Sequence, residues 1–250
     1  MGILPSEVEP IVGQCSPYLR SLRLKADECE LPHYRFSGPA GGGDAVRIGL
    51  FAAIHGDEPA GAQALVHFIE MLCREPELAE GYDLFFYPVC NPRAFVAGTR
   101  LTPSGKDLNR EFWRNSAEPE VRLLEQEIRA NAFQGLVSLH SDDTSDGLYG
   151  FVRGAVLTRG LLEPALAAAE KILPRNRKPM IDGFRAENGI ISECYDGILA
   201  SPPDLKPEPF EIILETPHSA AMDLQVRSLV VATRAILIEY RKFLAFAANL

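Results

Sequence analysis

The chain has 250 residues, 46% of them hydrophobic, and a formal net charge of −9. The apolar content suffices for one substantial core, while the acidic balance excludes a general nucleic-acid binder, because phosphate neutralisation needs an excess of Lys and Arg. No stretch reaches the roughly 18 consecutive apolar residues that a bilayer-spanning helix needs, so membrane insertion is not expected either.

The opening "MGILPSEVEP" lacks a basic segment followed by an apolar run, which leads to the expectation of a soluble, cytoplasmic protein. Cys15, Cys29, Cys73, Cys90 and Cys194 form no C-x-x-C pair and no regular spacing, so isolated reduced thiols are expected. Residues 1–44 mix short helical patterns with turn residues and close on the glycine-rich "SGPAGGGD"; they read as an N-terminal extension or hairpin.

From residue 45 the chain alternates. "AVRIGLFAAI" (45–54) has strand length, and "EPAGAQALVHFIEMLC" (58–73) carries apolar residues at helical spacing with Pro59 in the first turn. "YDLFFYPVC" (82–90) predicts a strand, 117–133 a helix, and "GLVSLH" (135–140) a strand ending in histidine. After "YGFVRG" (149–154) come a helix over 161–173, a proline-rich irregular stretch from 174 to 209, the strand "FEIILE" (210–215) and a long helix from about 219 to 247. This rhythm predicts an α/β fold, a mixed, mostly parallel twisted sheet with helices on both faces, in a single domain over residues 1–250.

Ligands in open α/β sheets gather outside the carboxyl ends of the strands, and His55, His140 and Glu215 each fall at such an end. Glu58, three residues after His55, adds a second carboxylate. Two neutral imidazoles and one carboxylate form a common catalytic zinc ligand set, which leaves the other carboxylate free as a general base. In "HGDE" (55–58) Pro59 would fix the turn that aims both side chains, and Gly56 would relieve crowding between them.

Taken in order, "HGDE", "NPRAFVAGTRLTPSGKDLNREF" (91–112), "SLH" (138–140) and "LETP" (214–217) resemble the zinc carboxypeptidase superfamily, especially its short bacterial members and its aspartoacylase and succinylglutamate desuccinylase branch. The resemblance implies a carboxypeptidase-like fold with one zinc per chain on His55, Glu58 and His140. It implies Glu215 as general base and then acid, and Arg93 as the group that stabilises the oxyanion. Asn109 and Arg110 match the pair that holds a substrate carboxylate, and Asp107 would accept from the outer nitrogen of a ligand histidine, His55 foremost. Tyr195 lies near where carboxypeptidases carry an active-site tyrosine.

The implied activity is hydrolysis of an amide beside a free carboxylate, in a short peptide or an N-acyl amino acid. "NPRA" is closer to the aspartoacylase-type deacylases, while the short ending after Glu215 resembles bacterial murein-peptide amidases. A non-catalytic metal- or ligand-binding protein on the same scaffold is the contrasting class. A nucleotide enzyme is a poor third, since neither G-x-x-x-x-G-K-[ST] nor G-x-G-x-x-G occurs. Asp142, Asp143 and Asp146 are expected to make the mouth acidic and to favour substrates carrying an amino group. His33 and His67 read as structural, and His218 as a helix-start residue.

Overall fold

The computed structural model describes residues 17–26, 29–154 and 158–247. All described strands join one ten-stranded sheet. In chain order these are β1 (Leu19–Ala26), β2 (Cys29–Ser37), β3 (Val46–Ala52), β4 (Tyr82–Tyr87), β5 (Gly135–Asp142), β6 (Tyr149–Gly154), β7 (Met180–Ile181), β8 (Phe184–Glu187), β9 (Ile190–Ile191) and β10 (Phe210–Pro217). The order across the sheet is β1-β2-β4-β3-β5-β10-β6-β9-β8-β7. Its centre, β4-β3-β5-β10, is parallel, and antiparallel strands flank it on both sides.

The helices are α1 (Pro59–Arg74), α2 (Pro92–Ala97), α3 (Pro119–Asn131), α4 (Thr158–Ala169) and α5 (Met222–Ala247). Strand alternation divides the core between the two faces. Ile48, Leu50, Leu84, Phe86, Val137, Leu139, Ile212 and Leu214 pack with α1, α4 and α5, while Phe51, Phe85, Tyr87 and Leu136 pack with α3. The central strands are therefore buried on both sides and read as nearly continuous apolar runs. Each such side chain contributes about 1.5–3 kcal/mol by leaving water. Among the described residues no helix is long and apolar enough to cross a membrane.

The expected α/β fold is present, and three local expectations need correction. Of the two readings of the N-terminal region, the hairpin is the one seen, with β1 and β2 antiparallel at one edge of the sheet in place of the short helical patterns; β2 buries Cys29, Leu31 and His33 in alternation, and the exposed Arg20, Arg23 and Lys25 on β1 deter pairing with another chain. The proline-rich stretch contains the small strands β7 to β9, too short for periodicity to reveal. Cys29, Cys90 and Cys194 are free thiols, but Cys73 is disulfide-bonded. The first residues of the predicted N-terminal extension, 1–16, lie outside the described residues.

Candidate metal centre and active site

The register of the parallel strands builds the site. Glu215 on β10 pairs directly with His140 on β5, so the two side chains stand next to each other on the same face. Beyond the end of β3 the backbone turns sharply, with Ala53 at φ 48°, a left-handed conformation costly for a residue with a side chain. The N–H groups of Cys90 and Asn91 donate to the carbonyls of Ala52 and Ala53, and the Asn91 amide donates to Ile54 O. These bonds hold the turn that delivers His55.

Pro59 opens α1, as its fixed φ allows. Glu58 occupies the N-cap position yet makes no capping bond with its side chain. The carboxylate instead lies between two imidazoles, with Oε1 2.5 Å from His55 Nδ1 and Oε2 2.9 Å from His140 Nδ1. Ser141 N donates to Oε2 at 3.2 Å. One donor atom from each of His55, Glu58 and His140 lies within 4.8 Å of the others, and all three residues are buried.

The outer ring nitrogens are occupied as well: His55 Nε2 is 3.0 Å from Asp107 Oδ1, and His140 Nε2 is 2.9 Å from Ser138 Oγ. Partners on the outer nitrogens orient imidazoles for metal binding and leave Nδ1 facing the centre. Two imidazoles and a carboxylate with these supports suit a tetrahedral zinc site with one open position. Burial pulls the His55 imidazole toward lower pKa, but Asp107 and Glu58 outweigh it and carry the group up to about 9. Burial likewise pushes Glu58 upward, and the imidazoles, His140 foremost, hold it well below the usual carboxylate range.

The donor cluster opens into a cavity of about 970 Å³. Glu215 lines it and has no hydrogen-bond partner among the described residues. Burial first, then the negative charges of Glu58, Asp142 and Asp182, push its proton affinity well above that of an ordinary glutamate. Asn109, Arg110 and Tyr195 line the same cavity. Asn109 Oδ1 accepts from Leu199 N at 2.8 Å, while the Arg110 guanidinium lies 4.0 Å over the Tyr195 ring and donates to the carbonyl of Asn109. Among the described residues Arg110 has no carboxylate partner.

Arg93 is not brought to this cavity. It donates to both carboxylate oxygens of Glu120, at 2.9 and 3.0 Å, and ties α2 to the first turn of α3. The guanidinium at the centre belongs to Arg100, 3.5 Å from Glu58 Oε1 and 2.9 Å from Asp107 Oδ2. The reason is geometric. Helix α2 ends at Gly98, whose φ of 64° suits glycine, and the reversal returns Arg100 toward the donors, whereas Arg93 leaves the first turn on the other side. The signal was present in the quoted run, as a second arginine seven residues before Asp107.

Gly56 also has a different role from the expected one. A Cβ there would lie 2.0 Å from the Ala94 carbonyl carbon, so the glycine lets α2 pack against the ligand loop. Asp142 and Asp143 line the cavity, but Asp146 lies outside it and pairs with Lys178 on the surface. His218 lines the mouth. His67 is exposed, and His33 is buried and stacked on Tyr87 with 5.3 Å between centroids.

Sequence reasoning also missed Gln225 on α5, whose Oε1 lies 2.9 Å from Ser141 Oγ and 3.0 Å from Thr216 Oγ1. Its amide nitrogen donates to the carbonyls of His218 and Ala220. One buried amide thus joins the strand ends that carry His140 and Glu215.

A His-Glu-His cluster that could hold a metal, at the carboxyl edge of a carboxypeptidase-like sheet, defines the class. The model of the succinylglutamate desuccinylase/aspartoacylase catalytic domain matches residues 44–174, more than half of the chain, and the protein belongs to that family. No curated protein matches. Among solved structures, a candidate metallopeptidase from Shewanella denitrificans OS217 is similar with a TM-score of 0.75 and 21% identity, over 93% of this chain and 87% of that one. A metallo-carboxypeptidase from Burkholderia cenocepacia has a TM-score of 0.73 and 16% identity, over 95% and 68%. One from Pseudomonas aeruginosa, in complex with (2-guanidinoethylmercapto)succinic acid, has a TM-score of 0.71 and 17% identity, over 94% and 67%. These likenesses establish the fold.

Proposed function

We propose that this chain is a zinc-dependent hydrolase that cleaves an amide bond beside a free carboxylate and so releases an amino acid from a short peptide or an N-acyl amino acid. The observation that carries the reading is the convergence of His55, Glu58 and His140 next to Glu215, a carboxylate without a hydrogen-bond partner among the described residues. One zinc per chain on that triad would supply Lewis acidity and a water made acidic near neutral pH.

The chain's own groups then divide the work. Glu215 takes a proton from water at its carboxylate and returns it to the departing amine, a task suited to a group whose proton affinity is raised by burial and like charge. Arg100 takes the oxyanion-stabilising role that the resemblance gave to Arg93, since it stands beside Glu58 while Arg93 is bound to Glu120. Arg110, with no carboxylate partner among the described residues, offers its guanidinium fork to the substrate carboxylate, with Asn109 beside it. Tyr195 flanks that fork, and Asp107 with Ser138 keeps both imidazoles oriented.

Both branches of the resemblance leave an amino acid as the product, so the acyl side distinguishes them. Membership of the desuccinylase and aspartoacylase family favours an N-acyl amino acid. The fold likeness to a carboxypeptidase that holds a succinic acid derivative supports a carboxylate-bearing ligand and keeps peptides in contention.

The test is zinc content of wild type and His140→Ala by elemental analysis, alongside turnover of short peptides and N-acyl amino acids. Near one zinc per wild-type chain, none in the variant, and chelator-sensitive release of an amino acid are expected. An absence of zinc after reconstitution, with no turnover, would overturn the reading.

A further inference from the structure

Ser141 and Thr216 stand one residue beyond His140 and Glu215 and oppose each other in the register of β5 and β10. Side chains alternate along a strand, so these two hydroxyls point away from the face of His140 and Glu215, toward the side of Leu139 and Leu214 that packs with α1, α4 and α5. Apolar residues fill most of that layer. Here it holds a closed polar group instead. The two hydroxyls lie 3.0 Å apart, and each donates to Oε1 of Gln225, Ser141 at 2.9 Å and Thr216 at 3.0 Å. The Gln225 amide nitrogen donates to the carbonyls of His218 and Ala220, at 3.2 and 2.8 Å, in the connection from β10 to α5. Two donors and two acceptor positions are all that a glutamine amide offers, and Gln225, Ser141 and Thr216 are 3%, 6% and 0% exposed.

This network bears on the site at two points. Ser141 N donates to Glu58 Oε2 at 3.2 Å, so the residue whose hydroxyl Gln225 holds also holds a metal donor. Thr216 follows Glu215 directly, and its hydroxyl lies 3.3 Å from the carbonyl of His140. The backbone gives less help at this level. The ladder ends at Pro217, which has no N–H, and His218 N donates to Asp142 O at 2.8 Å beyond it. An apolar trio would fill the same space with no polar group to satisfy, so what the network adds is a fixed geometry rather than burial.

We infer that Gln225 is a positioning residue: its amide fixes the ends of β5 and β10 against each other, and with them the placement of Glu215 relative to the metal donors Glu58 and His140. The inference rests on the proposed metal site and base, and it adds a residue of α5 that is not among those lining the cavity.

The test separates placement from stability. Zinc affinity, by competition with a chromophoric chelator, is measured with kcat, KM and thermal unfolding for wild type, Gln225→Met and Val226→Ala. Methionine keeps the length and helix preference of glutamine and removes every bond of the amide; Val226→Ala thins the apolar core at the next residue of α5 and leaves the network whole. Both variants should unfold at lower temperature. Gln225→Met alone should bind zinc about 10-fold more weakly, as on loss of an outer partner of a ligand. It should also lose about 100-fold in kcat, the scale of a misplaced reacting group, with KM within about threefold. A loss in either quantity that Val226→Ala does not share supports the inference. Wild-type zinc affinity and kcat in Gln225→Met, or equal losses in Val226→Ala, would overturn it. Should Gln225→Met fail to fold, Ser141→Ala/Thr216→Val/Gln225→Met takes its place, since no hydroxyl is then left unpaired; wild-type affinity and kcat in that variant would overturn the inference as well. If wild type binds zinc but turns over no peptide or N-acyl amino acid, the hydrolase reading fails and zinc affinity alone decides the role of Gln225. A wild type that binds no zinc would overturn both.

Discussion

Two irregular segments border the carboxyl edge of the sheet, residues 88–118 and 174–209, and they are built on opposite principles. In the first, the polar side chains are largely committed to each other or to the metal donors. Asp107 holds both His55 and Arg100, Ser104 donates to Glu118, and Arg93 is locked on Glu120. In the second, Asp182 sits in the turn between β7 and β8, accepts from the Tyr195 hydroxyl, and forms no ion pair with a Lys or Arg among the described residues. A segment whose hydrogen bonds are already made can orient reacting groups with little reorganisation; a segment that leaves a charge open can choose what binds. On the proposed hydrolase reading, the first loop orients the metal donors while the second supplies much of the cavity wall.

The largest test of that division is removal of a donor. His140→Ala should abolish stoichiometric zinc and reduce turnover by on the order of a thousandfold or more, whereas Asp182→Asn should leave zinc content intact; loss of zinc in both would erase the distinction between the loops. Next come the two arginines of the first segment. Arg100→Ala should lower kcat by about a hundred to a thousandfold with little change in stability. Arg93→Ala should leave kcat within a fewfold and lower stability by about 1–3 kcal/mol, because the fully buried Glu120 loses its donors; the lower end is favoured since Arg93 is half-exposed. Steady-state kinetics with denaturant unfolding separate the pair, and a reversed pattern would return the oxyanion role to Arg93.

A smaller effect is expected from Asp107→Ala. It should weaken zinc about 10- to 100-fold without abolishing it, as competition with a chromophoric chelator would show. The smallest concerns His33, on the hairpin away from both loops. Burial lowers its pKa below the ordinary histidine value, so as pH falls below about 6.5 the unfolded chain takes up this proton first and stability declines until the folded-state pKa is passed. Wild type should lose more stability than His33→Phe between pH 7 and 5, measured by thermal unfolding; parallel curves would show that the buried imidazole carries no such linkage.

Much of this was legible in the sequence because periodicity and punctuation are local. The strands at 149–154 and 210–215, the Pro59 helix start and the histidines at strand ends follow from alternation, apolar runs and proline geometry. The hairpin of β1 and β2 was legible only as one of two readings because its strands mix apolar and charged residues at an edge, and β7 to β9 are too short for any period to register. The choice between Arg93 and Arg100 was hidden for another reason. It depends on which way the chain leaves a six-residue helix at Gly98, and both arginines fit the spacing.

The α/β alternation and the donor types at the ends of β3, β5 and β10 follow from the chain's local pattern, since backbone geometry and apolar patterning act over a few residues. Tertiary packing sets that Arg100 faces Glu58, that Gln225 joins the strand ends carrying His140 and Glu215, and that Asp182 pairs with no Lys or Arg among the described residues. Those facts depend on contacts between segments far apart in the chain, and they are fixed by packing and by which charges find a partner.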